Sequence, residues 1–339
     1  MRIFVLGAAG YVGSVLCRKL LHDGHEVVAI DNGFFGFGGL DEIRYDHGMR
    51  VLEKDGFDLV QSDLECCDCF INLSGLSNDP MADFNPALNY KLNTDLTEYT
   101  AKLCKSICDP VRMSYIFAST ASIYDFGVAD EKLDVVMDET SKVNPILHYS
   151  LSKYKAEQKL LDLADGNFNA IILRKATICG YSPRMRYDLV INTLVKDGLN
   201  DYVLRLNGGG ENWRPLIDIN DMCEIYSRCV NLDKTGIYNA VGYNIRVSEL
   251  ALRVMSELQL KMGAAISIES DYNFPKSKIR NYRVDGSKLW SEINFKPQIS
   301  VQETVSGILN KISQIRDFGN PVYYNIRWVE KYLQHWLKY

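Results

Sequence analysis

The stretch Ile3-Phe4-Val5-Leu6-Gly7-Ala8-Ala9-Gly10-Tyr11-Val12-Gly13 decides the fold. Four apolar residues in a row read as a strand buried on both faces. The run from Tyr11 to Asp23, apolar at Val12, Val15, Leu16 and Leu20, reads as an amphipathic helix. Between them, Gly7, Gly10 and Gly13 permit a tight turn and let the backbone approach a pyrophosphate resting on the helix N-terminus. The spacing is Gly-x-x-Gly-x-x-Gly rather than Gly-x-Gly-x-x-Gly, so the weight of the motif lies in its place between strand and helix.

Val27–Ile30 is a second strand, and Asp31 follows it directly, with Asn32 beside it. A carboxylate there can accept hydrogen bonds from both hydroxyls of an adenosine ribose, whereas a 2′-phosphate would meet like charge. NAD is therefore expected over NADP. After a third short apolar stretch, Gln61-Ser62-Asp63-Leu64 offers Asp63 to an adenine. Further strands are predicted at Cys69–Leu73, Ser114–Ala118 and Ala170–Leu173, separated by helical segments. Strands alternating with helices imply right-handed crossovers and an α/β, doubly wound parallel sheet of Rossmann type. Beyond residue 175 the rhythm changes to loops such as Tyr181-Ser182-Pro183, Asn207-Gly208-Gly209-Gly210 and Asn273-Phe274-Pro275. The expected division is an NAD-binding domain over 1–175 and a smaller C-terminal substrate-binding lobe over 176–339, partly interleaved, with the site in the cleft between.

Composition narrows the partners. A net charge of −5 over 339 residues argues against broad binding to nucleic acid or an anionic membrane, since either needs a basic field. No uncharged apolar run is long enough for a membrane span, and the first residues lack the long apolar stretch of a signal peptide. The cytoplasm is the expected compartment. Nine cysteines are scattered apart from Cys66, Cys67 and Cys69, which have no histidine nearby. They read as reduced thiols, and no metal is expected.

His148-Tyr149-Ser150-Leu151-Ser152-Lys153 opens a helix. Tyr149 and Lys153, four apart, share one face of it. A phenol ordinarily keeps its proton near neutral pH, but a neighbouring ammonium and a nicotinamide charge favour the phenolate. Such a base can take a proton from a sugar hydroxyl while hydride leaves the same carbon. Thr120, in Phe117-Ala118-Ser119-Thr120-Ala121-Ser122, follows a strand at the carboxyl edge of the sheet and can present its hydroxyl to the same oxygen.

With these parts assembled, the chain resembles the extended short-chain dehydrogenases/reductases of the nucleotide-sugar epimerase and dehydratase group, from Gly7 to about Gly307. The marks are the glycine loop, Asp31, Asp63-Leu64, Asn72-Leu73-Ser74-Gly75, the Thr120 segment, Tyr149-x-x-x-Lys153, and Asn212-Trp213-Arg214-Pro215 followed by Asp218 and Asp221. The resemblance implies that Gly7, Gly10, Tyr11, Val12, Gly13, Asp31 and Asn32 hold the pyrophosphate and adenosine ribose of NAD. It further implies that Asp63 and Leu64 touch adenine and that Leu73, Ser74 and Gly75 line the phosphate and ribose region. Asn93 would support the active-site hydrogen bonds. Arg214 would grip a substrate diphosphate, with Arg280 and Asn192 as further candidates for which a lobe-stabilising role is the alternative. Helices over Asn93–Cys108 and Tyr149–Leu163 would pair with their copies in a homodimer, through side chains such as Leu96, Leu103, Leu160 and Leu161.

Two departures from the family bear on the reaction. Thr177 stands in Leu173-Arg174-Lys175-Ala176-Thr177 where the family often has asparagine, which leaves its substrate contact open. Ala121 and Ser122 stand where dehydratases and decarboxylases usually carry an acid, so assisted loss of a hydroxyl lacks its obvious proton donor. An NAD-dependent nucleotide-sugar epimerase is expected first, then a dehydrogenase or 4-keto-reductase, then a 4,6-dehydratase. A non-catalytic NAD-sensing regulator comes last, because the Thr/Tyr/Lys set is intact.

Overall fold

The computed structural model describes all residues except 108–111, 126–134, 276–278 and 337–339. Seven strands form one sheet, in the spatial order Gly236–Ala240, Phe168–Lys175, Met113–Thr120, Cys69–Asn72, Arg2–Leu6, Glu26–Asp31, Met49–Glu53. Every neighbouring pair is parallel. Chain order reverses between Arg2–Leu6 and Cys69–Asn72, which are hydrogen-bonded neighbours. The crevice above their carboxyl ends is where open α/β sheets bind ligands.

The sheet is buried because its strands are apolar on both faces. Ile3, Val5, Val27 and Ala29 join one core cluster, under the helices Tyr11–His22 and Ile219–Cys229. Phe4, Leu6, Val28 and Ile30 join the other, under Leu96–Lys105 and His148–Leu163. Two strands went unrecognised in the sequence. Met49–Glu53 is a half-buried edge strand with a weak apolar signal. Gly236–Ala240 completes the opposite edge of the sheet from far along the chain. The helix expected over Asn93–Cys108 is broken in two: a π-type turn spans Lys91–Asp95 and an α-helix follows at Leu96–Lys105. Cys108 lies outside the described residues. The C-terminal half adds a three-stranded sheet of Thr177–Cys179, Trp213–Asp218 and Tyr243–Arg246, and a pair of Val203–Asn207 with Ser267–Asp271.

A buried ion pair ties this scaffold together. Glu157, in the middle of His148–Leu163, has no solvent exposure, and Arg174 is 3% exposed. Arg174 donates from Nη2 to Glu157 at 2.7 Å and from Nη1 to the Tyr124 hydroxyl at 2.8 Å. Ser119, next to Thr120, donates its hydroxyl to the same Glu157 carboxylate. The helix carrying Tyr149 is thereby bonded to the strands Met113–Thr120 and Phe168–Lys175.

Leu96 and Leu160, proposed from sequence for a dimer seam, are 4% and 0% exposed within the single chain and belong to its core. Leu103 and Leu161 only rim that core and remain partly exposed. Among the described residues no helix is long and apolar enough to cross a membrane, and no group of three His, Cys, Asp or Glu is placed to hold a metal.

Removing one member of a buried pair leaves the other charge uncompensated. Glu157→Ala is therefore expected to cost about 3–5 kcal/mol of stability. Denaturant unfolding monitored by circular dichroism measures this, and an unchanged midpoint would rule out the bracing role.

Candidate active site

A cleft of about 700 Å³ opens above the carboxyl ends of the sheet and is walled by both halves of the chain. Gly7, Gly10, Tyr11, Val12, Gly13, Leu73 and Gly75 line one side of it. The two turns at the switch point approach closely, a Cβ on Gly7 falling 3.1 Å from Leu73 C and Ser74 N, and each turn is tight in itself. A Cβ on Gly13 would lie 2.3 Å from the Gly7 carbonyl oxygen and 2.6 Å from that of Ala8. Gly75 has φ +116°, and a Cβ there would lie 1.9 Å from Asn93 Oδ1. Only glycine suits either position. Gly10 caps the helix Tyr11–His22 without a side-chain bond, and its first turn carries no acidic residue. Its N–H groups and positive dipole end remain available to an anion.

Asp31 lies beside this loop. Its Oδ2 accepts from the Ala9 N–H at 3.0 Å and its Oδ1 from the Gly33 N–H at 2.9 Å. Burial pushes its carboxyl above the ordinary value, opposed by those two N–H groups and by Arg184. Each oxygen keeps a lone pair for a ribose hydroxyl. The arrangement suits a dinucleotide such as NAD.

Other expected contacts also brace the fold. Asn32 donates its amide to Asp55 at 2.9 Å. Asp63 accepts at Oδ2 from Lys54 Nζ at 2.6 Å and the Val60 N–H at 2.8 Å, and Leu64 is fully buried in the core. These two side chains, expected from the resemblance to touch adenine, help to hold their own turn. Asn93 is fully buried and donates to the Leu76 carbonyl, Asn89 and Ser152, so it supports the cofactor-side turn from behind. Ser74 donates its hydroxyl to Asn72 at 2.6 Å, and its carbonyl accepts from Lys153 at 3.5 Å.

Thr120 and Tyr149 meet in the same cleft. Thr120 hydrogen-bonds Tyr149 and also donates to Ser122 Oγ at 2.9 Å. Lys153, 4% exposed, sits one helical turn along from Tyr149, with its ammonium over the Phe117 ring at 4.8 Å. Burial pushes the Tyr149 phenol up to about 12, opposed by the Thr120 hydrogen bond. Burial and then the Lys175 charge push Lys153 down to about 7. Desolvation is the largest cause for both groups, and it opposes the phenolate as it opposes the ammonium.

At the far end Arg214 lines the cleft and donates to the Thr177 hydroxyl at 3.0 Å. Thr177, the departure from the family pattern, thus orients that arginine. Arg280 lines the cleft too, but it is paired with Asp79 and lies 3.4 Å from Asp125, so it is not a free diphosphate contact. Asn192 is fully buried and takes the structural alternative. It donates to the Tyr11 hydroxyl at 3.1 Å and the Arg186 carbonyl at 2.9 Å, and accepts from the Gly180 N–H at 3.0 Å.

The sequence reading missed several residues here. Asp79 lines the cleft, and its charge raises the Tyr149 pKa. Asp125 is 5% exposed and is pushed up to about 6 by burial, opposed by Arg280 and Arg214. One carboxylate, Asp79, therefore does line the cleft, and Asp125 stands beside Arg280, although neither follows Thr120 directly. Lys175, Arg184 and Arg186 also line it, giving a chain of net negative charge a cationic cleft. The signal was present in Ser182-Pro183-Arg184-Met185-Arg186, two arginines in a turn that directly follows a strand.

Two outcomes are expected. Between about pH 7 and about pH 10, Lys153 is protonated in the unfolded chain more than in the folded one, so stability rises with pH. Lys153→Met should flatten that rise, with no loss of melting temperature at neutral pH. Melting temperatures across this range check it, and a large fall at neutral pH would contradict the burial argument. For Asp31, titration should find NAD bound more tightly than NADP, with Asp31→Asn narrowing the gap. Equal affinities in the unaltered protein would remove Asp31 from the ribose site.

The comparisons agree with this geometry. Residues 3–241 match the NAD dependent epimerase/dehydratase family. The chain is 29% identical over 231 residues to an uncharacterised UDP-glucose epimerase, YtcB, of Bacillus subtilis (strain 168), covering 65% of this chain and 70% of that protein. It is 26% identical over 325 residues to UDP-glucuronic acid decarboxylase 1 of Arabidopsis thaliana, covering 94% and 70%. Among solved structures, UDP-glucuronic acid 4-epimerase from Bacillus cereus, in complex with UDP-glucuronic acid and NAD, superposes with TM-score 0.77 at 22% identity, covering 93% and 100%. The dTDP-glucose 4,6-dehydratase DesIV from Streptomyces venezuelae, with NAD bound, has the same score and identity over 92% and 98%. With its parallel sheet, its glycine loop at the switch point and NAD as cofactor, the chain belongs to the NAD dependent epimerase/dehydratase family.

Proposed function

We propose that the protein is a nucleotide-sugar epimerase that works through a transient keto-sugar. The observation that carries this reading is the content of the cleft. A hydroxyl and a phenol stand together in it at Thr120 and Tyr149, with Lys153 one helical turn along, while Asp79, which lines the same cleft, is held by Arg280. Both carboxylates that line the cleft among the described residues, Asp79 and Asp188, are paired with an arginine. The set is sufficient for reversible oxidation, and no acid among the described residues lining the cleft is left unpaired to assist elimination.

In this mechanism NAD, when bound, accepts the hydride and later returns it. Tyr149 Oη takes the proton of a sugar hydroxyl while Thr120 holds the same oxygen by hydrogen bonding. Because the protein groups alone leave Tyr149 protonated, the phenolate depends on the positive nicotinamide brought by the cofactor. Lys153, one helical turn from Tyr149, donates from Nζ to the Ser74 carbonyl at 3.5 Å, which holds its amine on the cofactor side of the site. The keto-sugar then presents its other face, and Tyr149 gives the proton back. Arg214, oriented by Thr177, is proposed to hold the substrate diphosphate, for which a guanidinium fork is suited.

Asp125 favours a second reading. Its raised pKa would let it donate a proton near neutral pH, as elimination of water requires. It lies behind Arg280, which ranks this reading second.

The deciding experiment supplies nucleotide-diphosphate sugars to the protein with no added cofactor. An epimerase gives a stereoisomer of unchanged mass. A product lighter by one water would establish the dehydratase. Turnover only with stoichiometric NAD(H), with a mass change of two hydrogens, would establish a dehydrogenase or reductase. In either case Tyr149→Phe should bind cofactor normally and lose about 10²–10⁴-fold in turnover.

A further inference from the structure

Arg184 is the least satisfied cation in the cleft. It is 5% exposed, yet its Nε and Nη2 make no hydrogen bond. The neighbouring arginines contrast with it. Arg186 is bonded twice to Asp188, at 2.9 and 2.8 Å, and once to Ser77 at 3.0 Å. Arg280 is paired with Asp79. Among the described residues no carboxylate comes within ion-pair distance of Arg184, although Asp188 and Asp31 are close enough to act on it electrostatically. Burial, with Arg186 next, pushes its pKa down to about 9. A buried guanidinium without partners is costly, and such a group is retained where an anion completes it.

Its surroundings say which anion. Arg184 packs beside the turn of the glycine loop. A Cβ on Gly39 would lie 2.8 Å from the Ala9 carbonyl oxygen, 3.1 Å from Ser14 Cβ and 3.3 Å from Arg184 Cβ. Its guanidinium stacks on the Phe35 ring at 4.0 Å, which fixes the plane of the fork. It lines the same cleft as Gly7, Gly10 and Gly13. The helix Tyr11–His22 points its uncapped N-terminus into that space. Two independent positive features thus converge between Asp31 at the ribose end and Tyr149 at the reacting end. Along a dinucleotide, that interval is the diphosphate.

We propose that Arg184 clamps the cofactor diphosphate against the glycine loop, as a second cationic wall contributed by the C-terminal half of the chain. The two halves then close on the cofactor together, and each turnover can proceed without its release. The assignment rests on NAD being the cofactor and is independent of which sugar reaction the site performs.

The test is a binding titration of cofactor-free protein with NAD, adenosine, UDP and NADP. Arg184→Gln should weaken NAD by about 10- to 100-fold, with adenosine and UDP unchanged. Arg184→Lys, which keeps the charge but not the fork, should fall between. Because the buried cation is unpartnered, Arg184→Met should melt no lower than the unaltered protein when cofactor is absent. NAD affinity within about twofold of normal overturns the proposal. So does equal weakening of adenosine, which would mean a damaged fold, or weakening of UDP alone, which would assign the cation to substrate. A loss confined to NADP would move it to the ribose, and unfolding of the Met variant would make it a structural cation.

Discussion

The site's geometry depends on the buried pair of Glu157 and Arg174. One carboxylate receives the guanidinium from one strand and the Ser119 hydroxyl from the next, while it belongs to the helix that presents Tyr149 and Lys153. A helix packed on a sheet only through apolar contacts can slide, because those contacts have little direction. Charged hydrogen bonds at the middle of the helix fix its register against the strand ending in Thr120. The distance between a threonine hydroxyl and a tyrosine phenol then follows from a contact several residues away from both.

The reversal of strand order has a similar effect at the cofactor end. Parallel strands bring two loops, after Leu6 and after Asn72, to the same edge. Those loops approach so closely that a methyl group at Gly7 would lie 3.1 Å from the backbone of Leu73 and Ser74. Asn93 and Asn192, both buried, then brace the turns from behind and bond them to the helix bearing the tyrosine and to the C-terminal half. Asn192 uses its amide in holding shape, whereas Asn93 does so with Nδ2 alone and leaves its Oδ1 unpartnered.

Charge in the cleft is arranged against the charge of the whole. The chain is net negative, yet Lys175, Arg184, Arg186, Arg214 and Arg280 line one space, with Lys153 close to Lys175. Burial there drives down the pKa values of Lys153, Lys175 and Arg184. A cleft of that kind favours ligands that carry several negative charges, as dinucleotides and nucleotide sugars do.

By itself the sequence determined the doubly wound fold, the glycine loop, Asp31, and the set of Thr120, Tyr149 and Lys153. Each of these is a local matter: an apolar run, a spacing of glycines, or two side chains four apart on one helix. The tertiary structure decided the rest. It paired Asp63 with Lys54, buried Leu64 and Asn192, brought Asp79 and Asp125 to Arg280, and set Arg184 unpartnered against the glycine loop. It also drove the Tyr149 phenol up and the Lys153 ammonium down by burial. Those outcomes depend on which distant segments meet and how much water they exclude. Hydrogen-bond partners and desolvation are properties of the packed chain, and no spacing along the sequence encodes them.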